Sequence, residues 1–217
     1  MGKRPALTRE LIIAKAIAMA DEIGIDELSM RKLASELNIQ AMSLYHHFRK
    51  KDDIIAGMAD ELVSEITFGE QEESVTSDWR EIMQYRALSA KNLFLKHAWL
   101  PFVLDSQIQS GFKRLEYLNN YLGVLRKAGF PIDLALRVTS LIDSYIYGFC
   151  RQLSHISDDG KSREELAKDF ALVFDVKEFP FLSEATTLMM EKGYDEDADF
   201  LYGLNIILSG ISNSLSL

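Results

Sequence analysis

One cysteine in 217 residues, Cys150, excludes an intramolecular disulfide. The fold must therefore rest on packing and hydrogen bonding, as suits a reducing compartment. Four prolines are too few for a long Pro-rich linker. No basic-then-apolar leader and no apolar run long enough to span a bilayer can be read, so the expectation is a soluble, cytoplasmic chain with no membrane partner. Metal-ligand patterns are missing too. His46 and His47 are adjacent, so on a helix they point about 100° apart and share a metal poorly. His97 and His155 stand alone. Neither a metal nor a cofactor is expected. Motifs of the G-x-S-x-G, P-loop and G-x-G-x-x-G types are absent. Cys150 follows Phe149 in an apolar helical stretch, the setting of a small buried residue rather than of a thiol activated by a base. The chain does not read as an enzyme. Nor does any segment carry the two-residue alternation of a half-buried strand.

What remains is helix. Hydrophobic residues make up 47% of the chain, enough for a sizeable core, and the apolar positions recur at helical spacing. Thr8 can cap a first helix in which Ile12, Ala16, Met19, Ala20 and Ile23 form one stripe before Gly24 ends it. Two short helices are expected at 30–37 and 40–47. Ser29 caps the first, and Leu33, Ala34 and Leu37 supply its apolar face. Asn38 follows, a residue that tolerates the left-handed backbone of a sharp turn. Leu44 and Phe48, four apart, anchor the second helix. Asp52 or Asp53 caps a fourth, striped by Ile55, Met58, Ala59, Leu62 and Ile66.

The outer face of the second short helix is unusual. Gln40, Ala41, Met42, Ser43, Tyr45, His46 and His47 are short, polar or aromatic, none is acidic, and Arg49, Lys50 and Lys51 follow. A helix entering a DNA major groove needs groups of this kind. Hydrogen-bonding side chains read base edges, small apolar ones meet thymine methyls, and flanking cations hold phosphates. The arrangement is that of a helix-turn-helix. Net charge is −9, yet residues 1–55 carry 9 Lys and Arg against 8 Asp and Glu. The acidity lies elsewhere in the chain. A locally basic head on an acidic body suits binding at one site while limiting adhesion along DNA.

The segment MRKLASELNIQAMSLYHHFRKKDDII resembles the tetracycline-repressor (TetR) family of bacterial transcription regulators. Its R-K-L-A run, short turn, S-L-Y-H-H-F helix and K-x-D-x-I entry to the next helix carry the likeness. Asn38 stands where many relatives have Gly. A weaker likeness covers the rest, in the break at 96–101, the A-G-F-P turn at 128–131 and the closing D-F-L-Y-G-L-N-I-I-L-S-G-I. The resemblance implies an all-α protein with an N-terminal three-helix DNA-binding domain at 1–52. A helical regulatory (ligand-binding and dimerisation) domain would follow at 53–217. It implies a repressor, released from a palindromic operator in double-stranded DNA by an unknown small-molecule effector. Matching positions put Gln40, Ala41, Met42 and Ser43 at base edges and Tyr45, His46 and His47 at phosphates or bases. Arg31 and Lys51 fall on the DNA backbone, with Met30 near the groove.

In the body, helices are expected at 78–96, 106–127, 133–154, 164–176, 183–192 and 195–213. A break falls near 97–100, an acidic loop near 70–77 and a polar loop at 155–163. The aromatics Trp99, Phe102, Tyr117, Tyr121, Tyr145 and Phe149 are candidates to line an apolar pocket with a few directional hydroxyls. Leu141, Tyr145 and Phe149, with Gly203, Ile207 and Gly210 on the last helix, are candidates for a homodimer interface, since glycines in a helix are costly unless another backbone approaches closely. The alternative to the regulator is a helical adaptor whose acidic body binds a protein. It has no need of an acid-free face at 40–47.

Overall fold

The computed structural model describes residues 6–69, 78–106, 111–157, 163–193 and 195–215. Among these every regular element is an α-helix. Helix α1 (Arg9–Ile23) is capped by the Thr8 hydroxyl, which accepts from the Leu11 amide, and closes at Gly24, whose φ of 84° suits a residue without a Cβ. Helix α2 (Met30–Glu36) is capped in the same way by Ser29. Asn38 takes the left-handed turn with φ 54°. Helix α3 (Ala41–Tyr45) is shorter than its pattern suggested, with Gln40 as its N-cap and His46 as its C-cap. The Phe48 amide still bonds the Leu44 carbonyl, so the turn continues to Phe48. Ile12, Ala16, Met19, Leu33, Leu44 and Phe48 are buried together with α4 (Lys51–Val63) residues Ile55 and Met58. Ile23, at the end of the α1 stripe, is 40% exposed.

The cap of α4 differs from expectation. Neither Asp52 nor Asp53 precedes the helix. Asp53 lies one turn inside and reaches back, its carboxylate accepting from the Arg49 and Lys50 amides at 3.0 and 3.2 Å. This is the acidic half of a capping box, favoured by the positive end of the helix dipole.

The body follows with α5 (Trp79–Lys96), α6 (Leu100–Ser106), α7 (Phe112–Lys127) and α8 (Ile132–Ser157). Pro101 does not simply break the chain. It is the second residue of α6, where its missing amide has no intrahelical partner to lose. The helix expected from 106 starts at Phe112 instead. Asp60 on α4 accepts the Lys113 and Arg114 amides at 3.4 and 2.8 Å, capping α7 from a distant element. Gly111 makes this possible, because a Cβ there would lie 2.2 Å from the Asp60 carboxyl carbon. Helix α8 runs to Ser157, through the first part of the expected polar loop. Helices α9 (Arg163–Ala171), α10 (Pro180–Lys192) and α11 (Glu196–Leu215) complete the chain. Pro180 opens α10 at its first position, three residues before the expected start, and α9 ends five residues short of its expected limit. Residues 1–5, the acidic loop at 70–77 and positions 158–162 of the polar loop at 155–163 lie outside the described residues.

Contacts divide the chain into two compact units, residues up to 147 and residues from 148 onward, with the boundary inside the α8 sequence. In the first, α1 packs on α2 and α4, α2 on α3, and α4 on α6 and α7. In the second, α9 packs on α10, and Phe149 meets Phe200 edge-to-face at 5.0 Å.

Candidate nucleic-acid interface and regulatory core

Leu44 and Phe48 are 0% and 2% exposed, so the inner side of α3 is pinned to the head. Its outer side is then presented as a set. Gln40, Met42, Tyr45 and His46 are exposed, while Ala41, Ser43 and His47 are half-buried. Arg31 is exposed and Met30 half-buried at the start of α2. The head exposes no carboxylate between Gln40 and Lys51, so the face can approach phosphate without like-charge repulsion.

Two cations brace this face. Arg9, at the start of α1, donates to the His47 carbonyl and lies 4.1 Å over the Phe48 ring. Arg9 was missed in the sequence because it reads as an ordinary first-turn residue. Lys51 does more than offer charge. Its Nζ donates to the Ile25 and Asp26 carbonyls at 3.2 and 3.3 Å, fastening α4 to the turn after α1. An ammonium has three donors, and these two carbonyls take two of them.

The six aromatics expected to line a pocket do not form one group. Trp99 is buried and its indole donates to Asp21 at 2.8 Å. Phe102 is 62% exposed. Tyr145 and Phe149 are half-buried, Phe149 against Phe200. Tyr117 and Tyr121 do come together, around a residue absent from the expected set. Arg86 on α5 is 2% exposed. It donates to the Tyr117 hydroxyl at 2.7 Å and the Tyr121 hydroxyl at 3.2 Å, and pairs with Asp143 on α8 at 2.6 Å. Its guanidinium lies 4.0 Å over the Tyr121 ring, and Phe68 packs on both tyrosines.

Burial works against the Arg86 charge, but Tyr121, Asp143 and Tyr117 together outweigh it and hold the proton more firmly. Burial pushes the Tyr117 phenol up to about 12, with Arg86 opposing, and raises Tyr121 and Tyr147 by the same cause. The Asp143 carboxyl is likewise raised by burial against the pull of Arg86. At neutral pH the cluster thus holds one guanidinium and neutral phenols in a low-dielectric setting. There, directional contacts are strong and unpaired ones costly. A cleft of about 420 Å³ adjoins it, lined by Ile66, Phe68, Lys113, Tyr117 and Asn120 among others. A second, of about 510 Å³, lies between α1 and α4. Among the described residues no group of three His, Cys, Asp or Glu side chains is placed to hold a metal, and no helix is long and apolar enough to cross a membrane.

A compact helix-turn-helix head with an acid-free outer helix, joined to a helical body with a buried polar centre, defines a DNA-binding transcription regulator. Comparison with known proteins gives the family. The description "Bacterial regulatory proteins, tetR family" matches residues 12–58, and "Tetracyclin repressor-like, C-terminal domain" matches residues 72–215. The chain belongs to the TetR family, and is a ligand-responsive DNA-binding transcriptional regulator, not an enzyme. It is 32% identical to tetracycline repressor protein class G of Vibrio anguillarum, over 94% of this chain and 93% of that one. It is 27% identical to an HTH-type transcriptional repressor of Mycobacterium tuberculosis, over 95% and 80%. In structure it resembles the TetR family protein ActR of Streptomyces coelicolor, in complex with actinorhodin. The TM-score is 0.77 at 24% identity, covering 97% of this chain and 99% of that one. The adaptor alternative is set aside by this membership.

Proposed function

We propose that the chain acts in the cytoplasm as a homodimeric repressor, holding a palindromic operator until a small-molecule effector releases it. The observation that carries this is the outer face of α3, exposed and free of acid while Leu44 and Phe48 fix its inner face. On this reading Gln40, Ala41, Met42 and Ser43 meet base edges. Tyr45, His46 and His47 meet phosphates or bases. Arg31 and the remaining Lys51 donor hold the DNA backbone, and Met30 approaches the groove. Residues 1–52 form the DNA-binding domain and 53–217 the regulatory domain.

Exposed apolar side chains on two helices support the dimer. Leu136 and Leu141 on α8 are 54% and 48% exposed, and Tyr202 and Ile206 on α11 are 72% and 57% exposed. Gly210 is exposed, with open space where a Cβ would sit, so another helix can approach there. Gly203 and Ile207 are half-buried beside it. Tyr145 and Phe149, also candidates for this interface, are half-buried. The effector site is the cleft lined by Phe68, Lys113, Tyr117 and Asn120, of a size suited to a small molecule, with Arg86 and Tyr121 buried behind Tyr117. ActR, of the same fold, is described with actinorhodin bound, which supports a ligand in the body.

Selection from a random duplex library at moderate salt tests the reading. A two-fold symmetric consensus is expected. Recovery of no enriched sequence from protein shown by native mass spectrometry to be free of small molecules would reject it.

A further inference from the structure

Asp21 is in the last turn of α1, beside Glu22 and with no basic residue in that turn. Carboxylates are disfavoured there, because the C-terminal end of a helix dipole is negative. Local preference does not account for Asp21; its tertiary partners do. Both its oxygens accept from His97 Nδ1, at 2.8 and 2.9 Å, and Oδ1 also accepts from Trp99 Nε1 at 2.8 Å. A carboxylate only accepts, so Nδ1 of His97 carries the proton. His97 and Trp99 are 2% and 7% exposed, their rings edge-to-face at 6.1 Å.

Those two donors belong to the joint between α5 and α6. The His97 amide closes α5 on the Leu93 carbonyl at 2.9 Å, and its carbonyl receives the Leu100 amide, which starts α6, at 2.8 Å. The opposite end of α1 is fastened elsewhere. Arg9 holds the His47 carbonyl and the Phe48 ring at the end of the α3 turn. Helix α1 therefore spans about 18 Å between the α5–α6 joint and the recognition face. Arg86 lies on the same α5, three turns before the joint.

We infer that Asp21, His97 and Trp99 form a latch that makes α1 a lever between the regulatory body and the recognition helix. A shift of the end of α5 moves His97 and Trp99, and Asp21 carries that shift along α1 to Arg9 and the α3 turn. The latch is closed in this structure; on the operator-binding reading it holds the arrangement that binds DNA, and opening it imitates the effector. This rests on the operator-binding reading above.

The test measures affinity for the selected duplex by fluorescence anisotropy in wild type, Asp21→Asn, Trp99→Phe and the double variant, with helicity followed by circular dichroism. Asp21→Asn keeps size and removes the charge that both donors share. It is expected to weaken operator binding about tenfold at unchanged helicity. Trp99→Phe keeps the ring, loses only the N–H, and is expected to weaken binding about threefold. The double variant should fall no further than Asp21→Asn, because both changes open one device. A role in packing alone would lower the melting temperature and leave the affinity of the folded chain unchanged. Wild-type affinity in both single variants, or in folded Trp99→Phe where Asp21→Asn does not fold, overturns the latch alone. A wild-type chain that selects no duplex overturns the operator reading and the latch together.

Discussion

The outer face of α3 and the Arg86 cluster are both polar, and they obey opposite rules. At α3 the polar side chains are exposed or half-buried, their proposed partners lie outside the chain, and a few consecutive residues make the whole surface. At Arg86 a buried guanidinium bonds two phenols and pairs with a carboxylate, drawn from α5, α7 and α8 across 57 positions of sequence. Changing the first should alter recognition and leave stability almost untouched. Changing the second should do the reverse.

The strongest way to break the contrast is to remove the buried cation. Arg86→Met leaves the half-buried Asp143 without its cation and should cost about 3 kcal/mol of unfolding free energy. Denaturant titration measures it, and a loss under 1 kcal/mol would mean that the pair is solvated. Leu44→Ala comes next, because it empties the inner side of α3. A loss of about 2–5 kcal/mol is expected, against about 0.5 kcal/mol or less for the exposed neighbour Tyr45→Ala. Equal losses at the two positions would show that α3 is not pinned as described.

The recognition side is sharpened by Gln40→Ala. Repeating the duplex selection should show relaxed preference at particular base pairs, by about 1–3 kcal/mol, with thermal stability unchanged. An identical consensus would remove Gln40 from the reading set. The smallest effect is expected at Lys51→Ala, which touches both regimes. It should flatten the slope of log affinity against log salt by about 1 for every duplex. It should also lower stability by about 1 kcal/mol through the lost Ile25 and Asp26 contacts. An unchanged slope with lowered stability would leave Lys51 as a structural fastener alone.

The same contrast explains what could be read in advance. The head was legible almost residue by residue. Thr8, Ser29 and Asn38 act on their own neighbours, and the stripe of Ile12, Ala16 and Met19 needs only helical geometry. The exposed set at α3 followed from the same periodicity. Asp53 was placed one turn out, because a carboxylate that reaches back from inside a helix resembles one that precedes it. The starts of α6 and α10 were harder to place, because Pro101 and Pro180 sit in first turns, where proline is tolerated.

The body's centre could not be found that way. Arg86 lies in an α5 of ordinary polar composition, and only Tyr117, Tyr121 and Asp143 from other helices make its burial affordable. Spacing gives no sign of such a grouping. The same holds for Asp21, whose meaning depends on residues 76 and 78 positions away. Trp99 was listed with the pocket aromatics because a large ring is apolar first; its N–H partner Asp21 could not be read from spacing. Local chemistry announces surfaces that act on other molecules, whereas groups that act on one another through the fold become visible only in three dimensions.

The central claim is that two copies read one symmetric site. Its most direct measurement is sedimentation of the chain with the selected duplex, beside a duplex in which one half-site is scrambled. Two protomers per intact duplex are predicted, with the scrambled duplex bound at least 100-fold more weakly at the same salt. One protomer on each duplex, at equal affinity, would contradict the account.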